Sequence, residues 1–387
     1  MSRSTGRYLL TSNVGGEKVR SFLPRSLPPS PPLSISTALQ ELLYEAHAAI
    51  GRLDSVSVLL PETGLFLYMY VRKEAVLSSQ IEGTQSSLSD LLAYEAEGAP
   101  GAPVNDVQEV SRYVAAMDHG LARIREGFPL SNRLIREIHQ TLLTTGRGSE
   151  KAPGEFRTSP VWIGGSRPGN AEFVPPPASH VAECMSDLER WLHGYPERTP
   201  TLIKAALAHV QFETIHPFLD GNGRVGRLLV TLLLCAEGLL KQPMLYLSLY
   251  LKQHRARYYE LLMRVRSDGA WEEWLEFFAR GAIETAASAV ATATRLTQQA
   301  RNDRVRMEAL GRLAGNALRV HATLLERPVA SAQSITDRSG LSVPTANRML
   351  RELVSLGLVR EITGRRRGRL FSYDPYLRIM SEDTEPL

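Results

Sequence analysis

The chain is 387 residues long, with 43% hydrophobic and 22% charged residues. That balance is typical of a globular protein and excludes a chain that is disordered throughout, while the length predicts two or three domains. The net charge of +4 is too small to identify a polyanionic partner by itself.

The hydropathy pattern argues against a membrane protein. The longest strongly apolar stretch, residues 228–236, is far shorter than the roughly 20 residues that cross a bilayer. The first residues lack the continuous apolar core of a secretion signal. Cys184 and Cys235 lie in predicted helices and do not have the spacing of a metal knuckle or a disulfide framework. We therefore expect a cytoplasmic protein with no membrane partner and with reduced cysteines.

The first hundred residues predict an extended arm followed by helices. Residues 23–33 contain five prolines, which lack the amide donor and exclude a helix. Beyond them, apolar residues recur at spacings of three and four, which is the helical period. The predicted helices cover residues 36–50, 65–81 and 87–95, before a glycine- and proline-rich loop at 98–103.

The middle of the chain predicts helices around one hairpin. Helical periodicity covers residues 107–126 and 131–143, with Ser131 as an N-cap. Residues 161–163 and 172–174 are typical of two short strands joined by a glycine-rich tip. Further helices are predicted at 179–193, 200–214, 224–239, 247–266, 271–280 and 281–312.

From residue 317 the pattern changes. Predicted helices at 317–326, 334–339 and 343–356 precede two short apolar runs, 358–362 and 370–373, around a basic turn. Residues 341–370 contain seven arginines and only two glutamates. A helix-turn-helix followed by a basic hairpin is the pattern of a winged-helix domain.

One glycine-rich segment, HPFLDGNGRVGR from His216 to Arg227, combines several groups that phosphoryl chemistry needs. A loop of this kind leading into a helix N-terminus presents backbone amides and the positive end of the helix dipole, which together bind phosphate. Asp220 suits a divalent cation, and the Asn222 side chain can donate a hydrogen bond to an oxygen. Arg224 and Arg227 suit phosphate oxygens. Histidine titrates near neutral pH, so His216 suits a general base.

This segment resembles the Fic signature His-x-Phe-x-(Asp/Glu)-Gly-Asn-Gly-Arg-x-x-Arg, with every specified position filled. The resemblance implies a protein adenylyltransferase, which transfers AMP from ATP to a Ser, Thr or Tyr hydroxyl of a target protein or of itself and releases pyrophosphate. It implies that His216 is the general base and that Asp220 positions Mg²⁺. The nucleotide-binding residues that it implies are Gly221, Asn222, Gly223, Arg224, Val225, Gly226 and Arg227.

A second motif lies upstream of the signature. Residues 78–83, SSQIEG, resemble the Fic inhibitory motif (Ser/Thr)-x-x-x-Glu-(Gly/Asn). Ser78 and Glu82 are four residues apart and share one face of a helix. The resemblance implies that Glu82 pairs with Arg227 and prevents productive binding of the γ-phosphate, which makes the enzyme autoinhibited. Without the downstream signature, Glu82 before a glycine would be an ordinary helix-end acid.

Much of the remaining chain resembles bacterial Fic proteins with an N-terminal inhibitory region and a C-terminal winged helix. The hairpin residues Val161, Trp162 and Ile163 correspond to the family's flap, which docks an extended target segment by strand addition. Tyr259 is expected beside the adenosine, with Tyr258 a weaker candidate. The expected fold is mainly α, a helical Fic core with one β-hairpin flap. The predicted domains are an N-terminal inhibitory region (1–104), a catalytic core (105–312) and a winged-helix domain (313–387).

The C-terminal domain suggests DNA as a further partner. In a winged helix the second helix of the motif enters the major groove and the wing contacts the backbone. The candidate DNA contacts are Thr345, Asn347, Arg348, Arg351, Arg365, Arg366 and Arg367. A winged helix that serves only protein interaction or dimerisation fits the same pattern.

The signature is compatible with more than one activity. The same site suits the reverse reaction, in which Glu82 activates water and AMP is removed from a target. It also suits another phosphate donor. In a different class, the chain is a DNA-binding regulator whose Fic core senses a nucleotide. A homodimer is compatible with each of these activities.

Overall fold

The computed structural model describes residues 3–12, 18–59, 63–97, 104–146 and 148–386. The chain divides into two compact units: the first unit comprises residues 1–51 and 112–286, and the second unit residues 52–111 and 287–387. None of the helices in the described ranges combines the length and apolar character that a membrane span requires. The domain boundaries predicted at residues 104 and 312 come from changes in the sequence pattern and not from packing contacts. They stay a prediction.

The predicted mainly α fold is confirmed. The helices are α1 (Thr37–Leu59), α2 (Thr63–Ile81), α3 (Leu88–Glu97), α4 (Val104–Arg125), α5 (Asn132–Leu142), α6 (Ala178–Leu192), α7 (Thr201–Ile215), α8 (Asn222–Ala236), α9 (Ser248–Gln253), α10 (Arg255–Asp268), α11 (Trp271–Glu308), α12 (Ala314–Glu326), α13 (Ala332–Ser339), α14 (Val343–Ser355) and α15 (Asp374–Met380). The strands are β1 (Gly6–Ser12), β2 (Lys18–Pro24), β3 (Val329–Ser331), β4 (Val359–Glu361) and β5 (Leu370–Tyr373).

The predicted break near residue 281 is wrong, because α11 continues through it. Gly281 does not end a helix but serves close packing. A Cβ atom at this position would lie 2.7 Å from the Tyr250 ring, so only glycine lets α11 approach Tyr250 this closely. The prediction of one helix over residues 247–266 is also wrong, because the structure divides this segment at His254 into α9 and α10.

The N-terminus forms a hairpin that the sequence pattern does not predict. Strands β1 and β2 pair antiparallel, with Gly6 opposite Pro24. The amide of Phe22 in β2 donates to the Val174 carbonyl at 2.9 Å. The proline-rich stretch after β2 is free of helix up to α1, as predicted.

The predicted hairpin around residues 164–170 is reduced to a single bridge between Ile163 and Phe173. At its tip, the Asn170 side chain accepts hydrogen bonds from the amides of Ser166 and Arg167, which favours a 3₁₀ turn over a regular ladder. The Val174 carbonyl is already used by β2. Local side-chain bonds and pairing with the N-terminal hairpin therefore replace a longer strand pair.

The core of the first unit is built on α7 and α8. Residues on every side of α7 are buried, as expected of a helix surrounded by other elements. In α7, His209 Nδ1 donates to the Gly226 carbonyl at 3.0 Å, and its Nε2 accepts from the Tyr258 hydroxyl at 2.9 Å. Its ring stacks on Trp274. These contacts join α7, α8, α10 and α11.

The second unit contains the predicted winged helix. Helices α12, α13 and α14 pack against an antiparallel sheet in the order β3-β5-β4. Helix α2 packs in this unit against α12 and α15. Its Lys73 Nζ donates to the Glu382 carbonyl at 2.7 Å, and its Gln80 Nε2 donates to the Thr384 carbonyl at 2.8 Å. The helix that carries Ser78 thus belongs to the same unit as the winged helix.

Candidate active site

The loop between α7 and α8 adopts a left-handed backbone conformation at both ends. His216 follows α7 with a φ of 49° in the left-handed region, which is uncommon for a residue other than glycine. Gly221, with a φ of 75°, directly precedes Asn222, the first residue of α8. The two turns direct the loop around the N-terminus of α8, where helix amides and the helix dipole attract anions.

Arg157 holds this loop in place. Its side chain is 3% exposed, and its Nε donates to the His216 carbonyl at 2.8 Å. The Nη2 atom donates to the Pro176 carbonyl at 2.7 Å, and the Arg157 amide donates to the Pro217 carbonyl at 2.9 Å. Burial lowers the pKa of Arg157 to about 10, so it remains protonated at neutral pH. The sequence pattern does not identify this role.

His139 supports the loop from α5. Its Nδ1 accepts from the Gly154 amide at 2.8 Å, so its Nε2 carries the proton and donates to the Asp220 carbonyl at 3.0 Å. The ring stacks on Phe218 at 3.7 Å between centroids. Burial lowers the pKa of His139 to about 4, which keeps the ring neutral. His139 is therefore a positioning residue that the sequence pattern does not reveal.

Asn222 closes the loop with its side chain. The Oδ1 atom accepts from the Phe218 amide at 2.9 Å, and the Nδ2 atom donates to the Phe218 carbonyl at 2.8 Å. The side chain is buried at 2% exposure. An amide nitrogen has two hydrogens, so one remains for the predicted phosphate contact.

The charged residues of the signature differ in exposure. Arg224 and Arg227 are 1% and 4% exposed, and guanidinium groups are rarely buried to this extent. Arg224 Nη2 lies 3.4 Å from Asp220 Oδ1. The Asp220 carboxylate, by contrast, is 32% exposed, so it offers an oxygen of the kind that Mg²⁺ prefers. In the described ranges, no group of three or more His, Cys, Asp or Glu side chains lies close enough together to hold a metal ion.

The His216 side chain is partly accessible beside a buried carboxylate. Its Nδ1 lies 4.0 Å from Glu213 Oε2, and the two side chains are 21% and 8% exposed. That distance is too long for a hydrogen bond but short enough for charge attraction. A Cβ atom on Gly226 would lie 2.5 Å from Glu213 Oε1. Gly226 of the signature thus leaves open the space that the Glu213 carboxylate occupies.

The other predicted residues of the first unit divide into core and surface. Val225 is 1% exposed and belongs to the core. Tyr258 is also core, at 1% exposure, which makes it a poor candidate for the adenosine site. Tyr259 is 39% exposed and lies on the surface of α10.

The flap exposes an aromatic side chain. Trp162 is 41% exposed, while Val161 and Ile163 are half-buried. Phe173 on the opposite side anchors the flap, since the Arg266 guanidinium lies 4.0 Å from its ring centroid. The anchored base and exposed edge are compatible with the docking role predicted for residues 161–163.

The predicted inhibitory residues lie at the end of α2 in the second unit. Ser78 is fully buried, and Glu82 is half-buried in the turn after Ile81. The turn ends at Gly83, whose φ of 98° suits glycine. Gln80 Nε2 also donates to the Ser86 carbonyl at 3.0 Å and fixes this turn. The pairing of Glu82 with Arg227 stays a prediction.

The candidate DNA contacts lie on α14 and on the turn between β4 and β5. Arg348 and Arg351 are exposed on α14, and residues 365–367 are exposed on the turn. The side chains of the two remaining candidates form hydrogen bonds within the winged helix. Thr345 shares a hydrogen bond with the Ser342 hydroxyl at 2.9 Å, and Asn347 Oδ1 accepts from Arg369 at 3.2 Å. The arginines are thus the better candidates.

Three family models match the chain. The Fic/DOC family N-terminal model matches residues 40–122, the Fic/DOC family model residues 129–234, and the model of the sugar-specific transcriptional regulator TrmB residues 312–377. The second match contains the whole signature. The third coincides with the winged helix.

Curated proteins and solved structures agree with these matches. The protein adenylyltransferase Fic of Drosophila melanogaster is 31% identical over 180 residues, and that of Drosophila yakuba is 32% identical over 180 residues. Each alignment covers 46% of this chain, and the chain spans about a third (33%) of the length of these relatives.

Among solved structures, a Fic family protein from Desulfovibrio desulfuricans superposes with a TM-score of 0.58 at 22% identity, covering 88% of this chain and 97% of that one. Fic-1 from C. elegans gives a TM-score of 0.51 at 23% identity, over 67% of this chain and 74% of its own. At these identities the likeness concerns the fold. The signature is complete, and residues 40–122 and 129–234 match the N-terminal and Fic models of the Fic/DOC family, so the chain contains a Fic/DOC domain.

Proposed function

We propose that the chain is an autoinhibited protein adenylyltransferase that transfers AMP from ATP to a hydroxyl of a target protein or of itself. The observation that supports this most is the loop before α8. It combines a partly accessible His216 with a helix N-terminus. The family relationship supports the same chemistry, since the relatives described above are named protein adenylyltransferases.

The proposed reaction gives each residue a defined task. His216 accepts the proton of the target hydroxyl as that oxygen attacks the α-phosphorus of ATP. The bond from this phosphorus to the bridging oxygen breaks, and pyrophosphate leaves. Glu213, with Oε2 at 4.0 Å from His216 Nδ1, stabilises the imidazolium that forms. Arg224 and Arg227 bind the β- and γ-phosphates.

Magnesium fits this arrangement through Asp220. Mg²⁺ usually binds one or two carboxylates together with substrate phosphates and water, and the 32% exposed Asp220 carboxylate would be its protein ligand. The ion would neutralise phosphate charge. Arg157 and His139, through the His216 and Asp220 carbonyls, orient the loop that carries both groups.

The experiment that tests this function uses ATP labelled at different phosphates. We expect label from the α-phosphate to remain on protein after denaturing electrophoresis and label from the γ-phosphate to be lost, because AMP is transferred and pyrophosphate leaves. GTP, CTP and UTP with the same α-label serve as controls for the donor. Retention of γ-label would show phosphate transfer instead, and preferred use of another nucleotide would contradict ATP as donor.

DNA binding is a second candidate function, favoured by the exposed arginines of the winged helix and by the match to a transcriptional regulator model. We expect the triple variant Arg365→Ala, Arg366→Ala, Arg367→Ala to lower the salt dependence of DNA binding by about three units of slope, one per lost phosphate contact. Fluorescence anisotropy with DNA from upstream of the coding region, at several salt concentrations, measures this slope. His216→Ala is the control and leaves it unchanged. An unaltered slope in the triple variant would argue for a protein-interaction role.

A further inference from the structure

A cavity of about 310 Å³ lies within the second unit. Phe66 of α2 contributes to its wall, together with one face of α11, one face of α12 and Tyr376 of α15. The wall is largely apolar, with side chains such as Leu296, Leu318 and Leu325. Its size is at the small end of ordinary ligand sites, ~300 to 1,000 Å³.

Two cationic side chains, Arg301 and Arg304, also line the cavity. Arg304 pairs with Glu308 at 2.9 Å. Arg301 is exposed and, among the residues that the structure describes, has no ion-pair partner. The cavity therefore combines an apolar interior with a guanidinium that is available to an anion.

His321 adds a polar atom to the wall. It is 4% exposed, and within the described ranges no group hydrogen-bonds its Nε2. Buried polar atoms are normally satisfied, and an exception calls for a partner such as a ligand or water. Burial lowers the pKa of His321 to about 4, so the ring is neutral and acts through hydrogen bonding alone.

We propose that this cavity binds a small carboxylic acid with an apolar body. The body occupies the space between α11, α12 and Phe66, and the carboxylate pairs with Arg301. His321 Nε2 donates a second hydrogen bond to that carboxylate. Nothing in the proposed transfer of AMP requires this site. Its occupant would, however, contact α2, the helix that carries Ser78.

Decanoate is a suitable probe, and calorimetric titration of the full chain measures its binding. We expect saturable binding at one site. Arg301→Gln should weaken it about tenfold, because a charge-assisted hydrogen bond is lost. The matched control Arg312→Gln, an exposed arginine of the same unit that does not line the cavity, should leave the affinity unchanged. Decanol, which has no charge, should bind as weakly to wild type as decanoate binds to Arg301→Gln.

A second pair of variants tests the location. Ala300 and Ala322 line the cavity from α11 and α12 and are not fully buried, so the surrounding core should tolerate a larger side chain there. Ala300→Phe and Ala322→Phe should each abolish decanoate binding while thermal unfolding remains cooperative. The proposal is overturned if wild type does not bind decanoate, if decanol binds equally well, or if both filled variants retain binding.

Discussion

Replacing His216 by alanine should reduce AMP transfer about 10²- to 10⁴-fold, the usual contribution of a general base. The proton of the target hydroxyl then has no acceptor at the loop, while the phosphate-binding groups of α8 remain. Incorporation of α-labelled ATP into protein, measured as an initial rate, checks this. The difference in initial rate caused by His216→Ala should be largest in the Glu82→Gly background, where we expect the highest rate.

The backbone at His216 calls for a second variant. Its φ of 49° is unfavourable for alanine by about 1–2 kcal/mol, whereas asparagine visits this region more readily. His216→Asn therefore removes the base with less backbone strain. Both variants should be equally inactive, and His193→Ala, an exposed histidine after α6, should be fully active. Substantial transfer by the asparagine variant would mean that this residue shapes the loop and does not accept the proton.

The residues that we propose to contact the nucleotide could be named from the sequence because they are contiguous. A phosphate-binding loop before a helix needs its glycines, arginines and carboxylate within a few residues, so the pattern is visible between residues 216 and 227. The groups that hold this loop could not be predicted. Arg157 is 59 residues from His216 in sequence, and His139 is 81 residues from Asp220. A single distant residue leaves no periodic or local signal.

The difference between local and distant sequence signals also explains which elements of the fold could be predicted. Amphipathic helices such as α5, with Ser131 as its cap, follow from a repeating pattern. Strand β3 has three residues and is too short to show alternation. The prediction at Gly281 fails because local sequence cannot distinguish a glycine that ends a helix from one that admits a neighbouring ring.

Replacing Glu82 by glycine should raise AMP transfer about tenfold to a hundredfold. The proposed pairing of this carboxylate with Arg227 has the strength of a charge-assisted hydrogen bond, about 1.5–3 kcal/mol, and a tenfold change in rate corresponds to about 1.4 kcal/mol. Glu82 lies after Ile81, the last residue of α2, so the change should not disturb the helix. Initial rates with α-labelled ATP for wild type and variant measure the effect.

The chain offers a matched control for this substitution. Glu126 also follows a helix, α4, and also precedes a glycine with positive φ, Gly127 at 83°, but it lacks a serine four residues before it. Glu126→Gly should leave the rate unchanged. Equal rates for wild type and Glu82→Gly would contradict autoinhibition by this residue. If the reverse reaction dominates, Glu82→Gly should instead lose the removal of AMP from a modified target, because the carboxylate that activates water is gone.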